Sequence, residues 1–199
     1  MNIRMAFLAV ASFAAIHGPA LAAQDVSRRA TVAADASINV SNVQGRVDVT
    51  AWDRNEVELT ARLESDRDQL EFEATERQVR IRVNRPEGRH RDTDEDAILT
   101  IKAPKGARLV VETVSADITV NGLHGEQRLE SVSGTIDSQA FDAPVTLESV
   151  SGNIVLKGSG GKSRVSTESV SGSTIVSGIR GAYEGEAVSG NITVTVTAA

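Results

Sequence analysis

Glu130-Ser131-Val132-Ser133-Gly134 and Glu148-Ser149-Val150-Ser151-Gly152 are two copies of one phrase. It also stands as Glu112-Thr113-Val114-Ser115-Ala116, Glu168-Ser169-Val170-Ser171-Gly172 and Glu186-Ala187-Val188-Ser189-Gly190. The glutamates are 18, 18, 20 and 18 residues apart. So regular a period means one structural unit copied and stacked, each copy burying its apolar face against its neighbours.

Counting from each glutamate phases the repeat. One residue before it stand Val111, Leu129, Leu147, Thr167 and Gly185, and two after it stand Val114, Val132, Val150, Val170 and Val188. Six after it stand Ile118, Ile136, Ile154, Thr174 and Ile192, with Ile175 displaced by the longer fourth repeat. Odd offsets point inward before the motif and even offsets after it. Because side chains alternate faces along a strand, the flip requires a corner. The pairs Ser133-Gly134, Ser151-Gly152, Ser171-Gly172 and Ser189-Gly190 supply it, glycine tolerating backbone that other residues resist. Glu112, Glu130, Glu148, Glu168 and Glu186 then form an outward acidic stripe, the candidate interaction surface, and Thr113, Ser131, Ser149 and Ser169 an inward ladder of hydroxyls. Two strands per repeat with glycine-rich returns predict an all-β, single-domain parallel β-solenoid. Its β-helix-like coils would hold 18–20 residues and wind right-handed.

Upstream, residues 23–105 read as an irregular β segment of the same domain, and residues 106–199 as the five-coil region. Val47, Val49 and Ala51, then Val57, Leu59, Ala61 and Leu63, then Val79, Ile81 and Val83 each alternate with polar neighbours, as half-buried strands do. Residues 1–22 read as a secretory signal. Arg4 is the positive end, Met5 to Ile16 is apolar but short for a bilayer, and Ala20-Leu21-Ala22 offers a cleavage site. The expected mature protein is exported, to the periplasm or the cell surface, without a transmembrane segment. Losing Arg4 takes the formal charge from −6 to −7, a poor surface for nucleic acid. The absence of cysteine rules out disulfides.

The opening Asn42-Val43-Gln44-Gly45-Arg46-Val47-Asp48-Val49, the Trp52-Asp53 after it, the step Ala103-Pro104-Lys105-Gly106 and the repeated Val-Ser-Gly-x-Ile resemble the bacterial putative-adhesin family of unknown function. The resemblance covers nearly all of the mature chain. It implies a β-solenoid exported to the cell envelope and brings no catalytic residues. Ala116, where the family pattern has glycine, and the slip at Ser173-Thr174 depart from it.

Catalysis finds little to work with. The acids form equivalent rungs, whereas an acid–base pair needs environments that push its two pKa values apart. No zinc spacing, nucleophile elbow or phosphate loop occurs, and His90 and His124 are lone loop histidines. No catalytic residue, cofactor or metal ligand is assigned. The acidic run Asp92-Thr93-Asp94-Glu95-Asp96 lacks the glycine and terminal glutamate of a calcium loop and reads as solvated charge. The glutamate ladder is the better cation candidate, set against a face that simply keeps the surface wet. The expected function is non-catalytic binding of an envelope or surface macromolecule. Two alternatives stand beside it: a structural or self-assembling element that forms homo-oligomers through the strand from Asn191 to Thr197, and, behind that, a polysaccharide-acting enzyme on a β-helix.

Overall fold

In the computed structural model, residues 24–65, 67–85 and 96–196 are described. The signal segment, His90, Thr197 and the acidic residues 92–95 lie outside them. The upstream alternating stretches are strands. They occur in β2 (Ser37–Trp52), β3 (Glu56–Leu63) and β5 (Gln78–Asn84), with Val57, Leu59, Ala61, Leu63, Val79 and Ile81 buried to 1% or less exposure. β1 (Gln24–Thr31) runs antiparallel to β3, and β3 antiparallel to β6 (Ala97–Pro104). β4 (Gln69–Ala74) is antiparallel to β5. One edge of β2 takes β5 and then β6, both parallel, and its other edge pairs with β7 (Arg108–Asn121) along nearly its whole length.

The repeats supply the remaining strands: β8 (Gln127–Ser131), β9 (Ile136–Ala140), β10 (Val145–Ser149), β11 (Ile154–Gly158), β12 (Val165–Ile179) and β13 (Tyr183–Val196). β7 pairs β8 through residues 109–113 and β9 through residues 118–120. β10 bridges β8 to the first half of β12, and β11 bridges β9 to its second half. The path β7-β8-β10-β12-β11-β9 therefore returns to β7, every pairing in it parallel.

This closure corrects the expected fold. The chain is all-β, but it forms a closed six-stranded parallel β-barrel with extra strands rather than a right-handed β-solenoid of separate β-helix coils. The physical reason lies in β7 and β12. The expected corner does not cut either strand in two; each runs through the motif, belongs to both walls and ties them together.

Inside, like residues stack on like. Val111, Leu129, Leu147 and Thr167 fill one wall in register, and Ile118, Ile136, Ile154 and Thr174 the other, all within 1% of full burial. Each fully buried Leu or Ile contributes about 1.5–3 kcal/mol relative to exposure. A single apolar cluster continues from these residues into β2, β3, β5 and β6. Among the polar side chains enclosed with them, Gln127 donates to the Gln139 carbonyl (2.8 Å) and accepts from Ser138 Oγ (2.6 Å), which satisfies both buried side chains. In the fourth repeat Thr174 takes the inward place and Ile175, beside it, is exposed.

Candidate functional site

The repeated motif builds one face from β7, β8, β10, β12 and β13. Strand pairing sets Glu112 beside Glu130, Glu130 beside Glu148, Glu148 beside Glu168 and Glu168 beside Glu186. Neighbouring carboxylates thus hang from strands about 4.8 Å apart. The next residue in each of the first four repeats, Thr113, Ser131, Ser149 or Ser169, points inward and is at least 93% buried.

The hydroxyls close the bend. The Gly134 N–H donates to Ser131 Oγ and the Gly152 N–H to Ser149 Oγ, each at 2.8 Å, while Thr113 Oγ1 donates to the Ala116 carbonyl at 3.1 Å. Backbone pairing between repeats continues through the bend, as in Val132 N–H to Thr113 O (3.2 Å) and Ser133 N–H to Val114 O (2.8 Å). Consecutive N–H groups therefore aim the same way, which is how the parity flips without ending the ladder. Glycine is required at position 152 because a Cβ there would run into the Gly134 carbonyl oxygen, whereas the first bend accommodates Ala116. The longer fourth repeat solves the bend differently: Gly172 adopts φ +136° and Ser169 Oγ is buried without a hydrogen-bond partner among the described residues.

The valines depart from the expected phase. As even offsets they belong with the inward set, yet Val114, Val132, Val150, Val170 and Val188 are between 43% and 79% exposed. Val and Ser stand outward in succession at the bend, so the flip falls after them. Val43 of β2 joins the row, because its neighbours Asn42 and Gln44 pair with Thr113 and Ser115. Six valines thus form an apolar ridge alongside the five glutamates. Sequence reading passed over this ridge. The signal that reveals it is the flip itself, since two adjacent residues at a corner must share its outer side.

Arg128, two residues before Glu130, is the one cation of this row. Its Nε contacts Glu130 Oε1 at 2.5 Å and its Nη2 contacts Glu148 Oε1 at 2.8 Å, and both carboxylates hold the guanidinium proton more tightly than usual. Burial pushes the Glu148 carboxyl up; Arg128 opposes this, and the flanking Glu130 and Glu168 add to the rise. Glu112, Glu168 and Glu186 make no ion pair among the described residues. The glutamates, valines and hydroxyls line an open groove of about 480 Å³.

Such a groove offers repeated negative charge next to apolar surface and no acid–base pair. Among the described residues no three His, Cys, Asp or Glu side chains gather as a metal site. His124 stacks on Phe141 with ring centroids 4.0 Å apart, away from the acidic face. The described residues contain no helix long and apolar enough to cross a membrane.

No protein-family model and no curated protein matches the chain. Among solved structures it is similar to a putative cell adhesion protein of Clostridium sporogenes, at 10% identity and a TM-score of 0.56, covering 88% of this chain and 100% of that one. A putative adhesin of Bacteroides fragilis (12% identity, TM-score 0.43, 87% and 97% covered) and a putative lipid binding protein of Parabacteroides distasonis (8%, 0.29, 87% and 97%) are more distant. At these identities the likeness is one of fold.

Proposed function

We propose that the chain is an exported, non-catalytic binding protein of the cell envelope, adhesin-like in role, that holds a macromolecular partner on the valine ridge and glutamate ladder. The observation that carries this is the ridge and ladder side by side: a row of half-exposed valines on a rigid sheet, bordered by carboxylates of which only two are neutralised. Exposed apolar surface arranged contiguously and rimmed by charge marks interaction sites more often than scattered apolar residues do. Charge complementarity selects a partner presenting basic groups beside apolar ones.

The test is capture from envelope extract by the tagged mature protein, run beside E130K/E148K/E168K and V132S/V150S/V170S. Capture by the native protein that weakens with salt, and is lost in both triple variants, supports the reading. A partner retained equally by all three proteins refutes it.

A further inference from the structure

Outside the ring, β13 lies along the far edge of β12, and among the described residues it pairs with β12 alone. Its inner face is correspondingly uncovered. Val194 is 37% exposed where Val176, its neighbour on β12, is fully buried, and Val196 is 67% exposed where Ile179 is 1%. The opposite end of the sheet is built differently: β2 is covered by β5 and β6, and these by the antiparallel strands β4 and β3. A second copy therefore finds no matching parallel strand there on which to add β13 head to tail.

We propose that β13 pairs antiparallel with β13 of a second copy, about a twofold axis passing between Ser189 and Gly190. The parity flip makes the strand self-complementary about an axis of this kind. An evenly alternating strand would pair with itself about a residue; one with a flip pairs about a point between two residues if inner residues across the bend are to face inner residues. Gly185 then meets Val194, and Ala187 meets Ile192, on the inner side. On the outer side Glu184 meets Thr195 and Glu186 meets Thr193, so the acids face threonines instead of each other.

The backbone agrees. The Ala182 carbonyl accepts from Val165 N–H on β12, so Glu184 and Glu186, in step with it, also turn their backbone groups to β12. Beyond the bend the phase changes. Asn153 occupies the place of Asn191 two repeats earlier, and its carbonyl accepts from Ile136 of the preceding repeat; Asn191 and Thr193 accordingly turn to β12 as well. Gly185, Ala187, Ile192 and Val194 are left with outward N–H and C=O groups, and these are the residues the twofold register sets opposite one another. The contact is isologous and closes at two copies. A 14-residue strand about 46 Å long and about 10 Å thick gives a footprint on the order of 460 Å² per copy, at the low end for stable association, so the dimer should depend on concentration. This inference stands apart from the partner-binding reading, because it rests on the unpaired backbone edge of β13 and leaves Glu112, Glu130, Glu148 and Glu168 of the ladder outside the contact.

The cysteine-free chain allows a clean test. In E186C/T193C the two thiols of one chain lie seven residues apart on an extended strand, beyond the ~7 Å Cα separation a disulfide can span. Across the twofold axis they form a close, non-hydrogen-bonded pair. Mild oxidation should convert most of the double variant to a covalent dimer and leave each single variant monomeric. Light scattering across a roughly hundredfold concentration series should show the native mass approach twice the monomer value. V194P should abolish that rise with unchanged circular dichroism, because the N–H it removes points away from β12. A native mass that stays monomeric, equal cross-linking of the single variants, or unchanged self-association in V194P would each overturn the proposal.

Discussion

Ser149 and Ser169 occupy the same place in successive repeats with opposite consequences. Ser149 Oγ accepts the Gly152 N–H, so S149A would strand a buried donor and should lower stability by about 1–3 kcal/mol. Ser169 Oγ lacks a partner among the described residues, and S169A should leave the urea midpoint unchanged or raise it. Two glutamates make a second contrast. Glu58, hydrogen-bonded by Lys102 and paired with Arg29, titrates below its usual value. Its contribution is therefore present above the ordinary carboxylate value and lost as pH falls through the depressed one, and E58Q should destabilise at neutral pH and match the native protein in acid. Glu148 titrates above its usual value, so the folded chain holds that proton more tightly than the unfolded chain does. Stability falls as pH rises from the ordinary to the raised value. E148Q should remove that fall, which thermal melts across the acid range would reveal.

Strands and bends carry the next level. Each bend sits directly on the one before it, so G152A pushes a methyl into the Gly134 carbonyl and disturbs two repeats at once. Denaturant unfolding should show a loss of about 1–3 kcal/mol, as overpacking a close contact does. The spacing of the glutamates made this stacking legible, and with it the side-by-side register of residues 112, 130, 148, 168 and 186. Whether the bend ends a strand was not legible. Val132-Ser133-Gly134 separates β8 from β9, and Val150-Ser151-Gly152 separates β10 from β11, yet Val170-Ser171-Gly172 lies within β12. The same residues permit both outcomes, and hydrogen bonds to neighbouring strands decide between them. Ring closure depends on that decision at β7 and β12, which is why a correct period led to the wrong architecture. The valines were misplaced for a related reason: apolar character suggested the interior, while the geometry of the bend put them outside.

For the molecule as a whole, the stacked face and the open strand make separable predictions. Charge reversal at Glu130, Glu148 and Glu168 should abolish partner capture and leave self-association intact, because these residues stand on β8, β10 and β12 and not on the unpaired edge of β13. V194P should do the reverse. Sedimentation of both variants, with and without captured partner, checks the separation. The repetition of the acidic face carries one more implication. A ligand shorter than the row has several nearly equivalent seats, each displaced by one strand, and n such seats raise its observed affinity up to n-fold without any new contact. It can also walk between them, releasing one carboxylate as it engages the next. Arg128 breaks the equivalence, since a basic ligand is repelled where the guanidinium already spans Glu130 and Glu148. That single side chain acts as a frame marker, and its removal should turn a ligand held in one position into one that shuttles along the whole row.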